Sequence, residues 1–256
     1  MDYFTCRVSY FLLRNSYFAL MKYKHLFFDL DHTLWDFEAN ARITLSELYH
    51  SMRLEDRGVN DFDLFHKNYL EHNDNLWERY RNGLIRQEDL RVKRMWLALL
   101  DFKIADDVLA KEMSDKFLEL LPARTILFPY TKEILQYLTE KDYRLHLITN
   151  GFEVTQHSKL RYSGLAPFFK EVITSEGSNS LKPKREIFDY AFKKTGAVPE
   201  KSIMIGDSID VDILGAVNAG IDQVHVNHLT KEPVPVTENI LPTYTVYSLK
   251  ELEGIF

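Results

Sequence analysis

The chain has 256 residues, 45% of them apolar and 27% charged, which is enough for one sizeable core and a smaller module. Its net charge of −6 argues against a groove for a polyanion, and a single cysteine, Cys6, excludes an internal disulfide and a cysteine-built metal site. No stretch has the length and apolarity of a membrane span, and one lone thiol suits a reducing, cytoplasmic setting.

Residues 1–21 are apolar in places, but Arg7 and Arg14 interrupt them and no small-residue cleavage site follows. They are expected to be an N-terminal extension without a catalytic role. The run "KHLFFDL" (24–30) reads as a buried strand, and it gives out at Asp29-x-Asp31, with Thr33 close behind. Between Phe37 and Leu121 there is no proline, and the only glycines are Gly58 and Gly83. Ala41, Leu45, Leu48 and Met52 keep helical spacing, as do Phe62, Phe65, Tyr69, Leu76 and Tyr80, and then Leu109, Met113, Phe117 and Leu120. Gly58 and "RNG" (81–83) are the natural breaks, so residues 37–121 are expected to form a helical module.

From Pro122 the rhythm changes. Short apolar runs, "RLHLIT" (144–149), "KEVIT" (170–174), "SIMIGD" (202–207) and "QVHVN" (223–227), alternate with amphipathic segments of helix length. This is the pattern of βαβ units and of a parallel sheet buried on both faces. "KEPVPVTENILPTYTV" (231–246) reads as a loop leading to a last strand. The expected fold class is α/β: a Rossmann-like parallel sheet, built from 22–36 and 122–256, interrupted after its first strand by the helical insertion.

Ligands of open α/β sheets bind beyond the carboxyl ends of the strands. Those ends carry Asp29-x-Asp31, Thr149-Asn150-Gly151 and Gly206-Asp207, followed by Asp210 and Asp212. So many carboxylates at one edge repel unless a proton or cation intervenes, and a hard divalent ion with oxygen ligands is the natural solution. Thr149 offers a hydroxyl and Asn150 an amide. Gly151 would let backbone approach a ligand closely, and a helix beginning near Glu153 would turn its positive end to an anion. Lys182, beside Pro183 and ahead of a helix, could balance the acids and hold a phosphate oxygen. Each feature taken singly has an ordinary reading as a strand end, a turn or a surface lysine; the convergence at one edge is what points to phosphate chemistry.

In this order, Asp29-x-Asp31-x-Thr33, Thr149, Lys182 and Gly206-Asp207-xxxx-Asp212 resemble the four motifs of the haloacid dehalogenase superfamily, over about residues 22–256. The helical insertion resembles that superfamily's C1 cap. The resemblance implies that Asp29 attacks phosphorus to form an aspartyl phosphate, while Asp31 protonates the leaving oxygen and then takes a proton from water. It implies Mg²⁺, or Mn²⁺, held by the Asp29 carboxylate, the Asp31 backbone carbonyl and Asp207, with Asp212 as a ligand or as the group orienting the metal's waters or Lys182. Thr149, the backbone of Asn150, and Lys182 would hold the phosphoryl oxygens. The dehalogenases of the superfamily lack the second aspartate, so Asp31 favours phosphate esters.

Substrate choice is expected to sit in the cap. Asn73, Leu76, Trp77, Tyr80, Asn82, Gly83 and Ile85 are similar to a cap segment of the pyrimidine 5′-nucleotidase branch, as are "FFDLDHTLWDFEAN" and the tail "SLKELEGIF". That resemblance implies hydrolysis of nucleoside monophosphates such as dUMP, UMP and dTMP. Trp35, Phe37, Trp77 and Tyr80 could offer an aromatic face to a base, although aromatics at helical spacing more often pack a helix core. The sequence departs from relatives at Tyr130, Asn179 and Arg185, where these commonly carry Gly, Gly and Pro. A phosphatase for a sugar phosphate or phosphoglycolate is the runner-up, and a non-catalytic module binding a phosphorylated metabolite is the alternative from another class. The expected partner is a small phosphorylated metabolite, without nucleic acid polymer or membrane.

Overall fold

A computed structural model describes residues 22–228 and 240–256; the extension at 1–21 and most of the loop read at 231–242 lie outside the described residues. Strands β1 (His25–Phe28), β2 (Arg144–Thr149), β3 (Glu171–Thr174), β4 (Ser202–Gly206), β5 (Asp222–Val226) and β6 (Tyr244–Val246) form a parallel sheet in the order β3-β2-β1-β4-β5-β6. β1 lies at its centre, in register with β2 through Leu26–Leu145 and with β4 through Leu26–Ile203.

Alternation assigns the two faces. Leu26, Phe28, Leu145, Leu147, Ile203 and Ile205 point into one buried layer, where Ile134, Leu135 and Leu138 of α5 (Thr131–Glu140) cover them. Phe27, Ile148 and Met204 point into the other, against Ile187, Phe188 and Ala191 of α8 (Arg185–Thr195). Burial on both faces is why the strands read as continuous apolar runs.

β1 is shorter than the seven-residue run suggested. After Asp29, whose backbone N–H still donates to Ile205 O at 2.9 Å, the chain folds back so that Leu34 and Trp35 both donate to Leu30 O at 2.9 Å. His32 adopts φ 64° within this turn.

Between β1 and α5 the chain forms four further α-helices: α1 (Phe37–Ser51), α2 (Phe62–Arg81), α3 (Gln87–Leu100) and α4 (Asp107–Leu120). Asp36, Asp61 and Asp106 cap the first, second and fourth, each accepting a backbone N–H three residues on at 2.9 Å. Gly58 (φ 113°) and Gly83 (φ 71°) stand at the expected breaks. The helical insertion is therefore present as expected, but α3 carried none of the stripes recognised in the sequence. Leu45, Phe65, Met95, Leu99, Met113 and Phe117 bury the inner faces of these helices in a cluster continuous with the first sheet layer. The remaining helices are α6 (Glu153–Ser163), the short α7 (Ser175–Ser178) and α9 (Leu214–Ala219), the last entered through a π-turn at Ile209–Ile213.

Candidate active site

The carboxyl ends of β1, β2 and β4 deliver their polar groups to one cavity of about 440 Å³ beneath the helical insertion. Asp29, Asp31, Thr149, Asn150, Lys182, Asp207 and Asp212 all line it.

Asp29, Asp207 and Asp212 bring carboxylate oxygens within 4.8 Å of one another. Burial pushes the Asp29 carboxyl well above its usual range, and Asp212 and Asp207 add to this against the pull of Lys182. Burial and then Asp212 raise Asp207 to about 6. Asp207 is steadied by the Thr33 hydroxyl, which donates to Oδ1 at 2.8 Å. Asp212 is engaged at both oxygens, taking Lys182 Nζ at 2.7 Å and the Ser208 N–H at 3.1 Å. Gly206 makes room for it, because a Cβ there would stand 2.3 Å from Asp212 Oδ2. Asp29 and Asp207 both line the cavity, and the hydrogen bonds they accept from Lys182 and Thr33 fall on Oδ1 of each, which leaves Oδ2 of each for a cation. That donor set suits Mg²⁺ or Mn²⁺. Asp210 is exposed and stands outside the cluster, in correction of the reading that put five acids together.

Lys182 is 1% exposed, and its ammonium donates to Asp29 Oδ1 at 2.5 Å and Ile148 O at 2.7 Å as well as to Asp212. Burial works against its charge, but Asp212 and Asp29 outweigh it and raise the ammonium above its ordinary value. The peptide to Pro183 is cis.

Asn150 ties two loops together. Its side chain accepts from Lys182 N at 2.7 Å and donates to Lys182 O at 2.9 Å, and its backbone carbonyl accepts from Ser175 Oγ at 3.0 Å. Thr149 Oγ1 accepts from Gly151 N at 3.0 Å. Gly151 serves a different purpose from the one expected: the space beside it is filled by Gln156, whose Nε2 would lie 1.7 Å from a Cβ. The N-terminus of α6 does face an anion, but an internal one, since Glu153 N donates to Glu176 Oε2 at 2.6 Å.

Gln156 and Lys159 were not anticipated. Gln156 Nε2 donates to Asp31 Oδ2 at 2.8 Å, and Lys159 Nζ to Asp31 Oδ1 at 2.5 Å. Burial opposes the charge of Asp31, but the Lys159 ammonium and both hydrogen bonds hold its carboxyl below the usual value. Asp31 is therefore turned away from the acid cluster, into its own ion pair. The available signal was the i, i+3 spacing of Gln156 and Lys159 on the helix that leaves the Thr149-Asn150-Gly151 turn, which sets both on one face.

The aromatic candidates divide. Trp77 lines the cavity and stacks on Phe152, from the β2–α6 turn, with centroids 5.5 Å apart. Phe37 and His32 also line it. Tyr80 does not; it packs edge-on against Trp77 and Phe152 at 5.8 and 6.4 Å. Trp35 is fully buried, donates to Arg124 O at 3.2 Å and carries Lys159 over its ring at 4.2 Å. The expectation that Trp35 offers a face to a base is not met, because that face is taken by the lysine that holds Asp31.

A family model described as haloacid dehalogenase-like hydrolase matches residues 23–220. The chain is 33% identical to pyrimidine 5′-nucleotidase PynA of Streptococcus pneumoniae, over 91% of this chain and 94% of that protein. It is 32% identical to a glyceraldehyde 3-phosphate phosphatase of Methanothermobacter thermautotrophicus, over 91% and 99%. Among solved structures, the magnesium-bound HAD-hydrolase YfnB of Bacillus subtilis superposes with a TM-score of 0.80 at 29% identity, covering 92% of this chain and 99% of that one.

Proposed function

The chain belongs to the haloacid dehalogenase-like hydrolases, and we propose that within that family it is a metal-dependent phosphomonoesterase for nucleoside 5′-monophosphates, with pyrimidine nucleotides preferred. The observation that carries this reading is the convergence of Asp29, Asp31, Thr149, Lys182 and Asp207 on one cavity, roofed by Trp77 and walled by Phe37 and Phe152. Its volume of about 440 Å³ falls in the range of pockets for small organic ligands. The nucleotidase relative from Streptococcus pneumoniae supports the same substrate class.

In this reading Asp29 is the nucleophile. Its carboxylate attacks phosphorus in line with the leaving oxygen, splitting one hard displacement into two easier ones through an aspartyl phosphate. Asp31 protonates the leaving oxygen and takes a proton from the water that hydrolyses the intermediate. The ionised, Lys159-paired state fits that second role. Thr149 Oγ1, the backbone of Asn150 and the Lys182 ammonium hold the phosphoryl oxygens, so positioning and charge neutralisation do most of the catalysis. The Asp29 and Asp207 carboxylates and the Asp31 backbone carbonyl would hold Mg²⁺ or Mn²⁺, which when bound would supply further positive charge to a phosphate dianion. Asp212 keeps Lys182 aimed rather than meeting the substrate.

A second reading, a phosphatase of a smaller phosphorylated metabolite, draws on the glyceraldehyde 3-phosphate phosphatase relative. The aromatic roof favours the nucleotide. Phosphate release with Mg²⁺ from dUMP, UMP, dTMP, AMP, glyceraldehyde 3-phosphate, glucose 6-phosphate and phosphoglycolate separates the two. The pyrimidine nucleotides are expected to turn over fastest, and Asp29→Asn is expected to abolish turnover. Hydrolysis of the triose, sugar or glycolate phosphate alone would remove the nucleotidase assignment and leave the mechanism standing.

A further inference from the structure

Arg94 of α3 is 4% exposed, lines the cavity, and has no carboxylate partner among the described residues. A buried guanidinium without a counter-anion is costly unless acceptor atoms meet it. Its surroundings account for only part of its bonding capacity. Phe117 and Tyr69 approach at 5.1 and 6.0 Å from centroid to guanidinium carbon, and cation–π contact of this kind engages the flat faces of the group. In its plane, Nη1 donates to Asn73 Oδ1 at 3.1 Å, while Nε has no partner. The fork of donors is largely unspent.

Asn73 shares this state. It is 3% exposed and lines the same cavity. Because its carbonyl oxygen is taken by Arg94, it presents its NH₂ group, which makes a long contact of 3.2 Å to Asp74 Oδ1. Two adjacent cap side chains therefore offer donors and no free acceptor. The complement is an acceptor on the ligand. It is a neutral one, because Glu38 and Asp74 line the cavity while its other cations already stand beside carboxylates, Lys159 by Asp31, Lys182 by Asp29 and Asp212, and Arg81 by Glu78 and Asp74. Aromatic walls from Trp77, Phe37 and Phe152 suit an acceptor carried on a planar ring.

We propose that Arg94, oriented by Asn73, is a specificity-determining residue that donates to a ring carbonyl of the nucleobase in the leaving group. This rests on the nucleotidase reading above and deepens it: uracil, thymine and cytosine each carry such a carbonyl, and adenine carries none. Tyr69, whose hydroxyl is buried without a partner beside Arg94, backs the guanidinium from within the cap.

The test compares kcat/KM for dUMP with that for 2-deoxyribose 5-phosphate, which keeps the ester and loses the base, in the full chain with Mg²⁺. A hydrogen bond to a charged donor is worth about ten- to hundredfold in affinity. Arg94→Met is expected to lower the dUMP to deoxyribose 5-phosphate ratio by about tenfold or more, chiefly through KM. Arg94→Lys, which keeps the charge and loses the planar fork, is expected to lower it less. It also carries the test if the methionine variant fails to fold, as judged by thermal denaturation. A ratio within about twofold of wild type in the folded variants would overturn the proposal and leave Arg94 as internal cement of the cap. Absence of dUMP turnover in the wild type, with another ester hydrolysed, would instead sink the nucleotidase reading on which it rests.

Discussion

At the scale of single residues, two glycines of this site are explained by the side chains that occupy the space a Cβ would fill. Gly206 gives way to Asp212, which is fixed at both oxygens, and Gly151 to Gln156, the far end of a flexible side chain. The two cases differ in consequence. A methyl group at Gly151 pushes Gln156 away from Asp31 without forcing backbone apart, so Gly151→Ala is expected to fold and to lose catalysis. Gln156→Ala removes the same hydrogen bond directly. If the effects run through one contact they are not additive, and the double variant should lose no more kcat than the worse single one. A double variant whose losses multiply would show that Gly151 acts through something other than Gln156. Tyr130 (φ 70°) and Asn179 (φ 52°) complete the residue-level account. Both hold left-handed backbone, the conformation that glycine adopts without penalty.

Elements follow from cheap local signals. Helix starts coincide with Asp36, Asp61 and Asp106, whose carboxylates satisfy backbone donors that the first turn leaves free. The end of α3 is less well served, since the chain leaves it through Lys103 at φ 64°, a conformation that glycine adopts without penalty. Lys103 is exposed, so little packing is lost on its replacement. Lys103→Gly is expected to stabilise the fold by up to about 1 kcal/mol, or roughly 2–4 °C in Tm for a chain of this size. A lower Tm would mean that the lysine stem contributes more packing than its exposure indicates. α3 itself was passed over in the sequence because "RQEDLRVKRMW" is dominated by charge, although Leu90, Met95, Ala98 and Leu99 are buried. With that helix went Arg94.

For the molecule as a whole, stability is tied to pH by a pair of histidines within the sheet, remote from the catalytic edge. His25 and His146 stack with centroids 5.2 Å apart, and their ring nitrogens meet at 3.0 Å. Burial, then repulsion from Arg144 and Lys24, lowers His25 to about 4; burial, then His25 and Arg144, lowers His146 to about 3. Both pKa values lie below the ordinary 6.5, so the fold holds the rings neutral while the unfolded chain takes up protons. The stability they contribute is fully present above 6.5 and is lost as pH falls from there toward 4 and then 3. His146→Leu is expected to flatten the decline of Tm between pH 6.5 and 4.5 relative to that variant's own value at pH 7.5, as followed by scanning calorimetry. An equally steep decline would assign the acid limb to other groups. The insertion and the sheet also meet across the cleft: Gln87 donates to Glu176 at 2.8 Å and Trp77 stacks on Phe152. The cap side of the site is thus held by contacts between segments about 70–90 residues apart.

What the sequence determined by itself was the part written in local periodicity and in strand ends. Alternating apolar runs fix a parallel sheet buried on both faces, and a parallel sheet carries its ligands at the carboxyl edge. Asp29, Asp31, Thr149, Lys182 and Asp207 could therefore be brought to one cavity from spacing and residue type, with the family resemblance supplying their roles. What only the tertiary structure decided was which neighbours those groups acquire. The pairing of Lys159 and Gln156 with Asp31 spans more than 120 positions. The meeting of Arg94 with Asn73 depends on the packing of α2 against α3, and the loss of Trp35 as a ligand surface depends on Lys159 lying over its ring. A buried cation looks in a sequence like any surface lysine or arginine, because its burial is a property of the elements packed around it and not of its own neighbours in the chain.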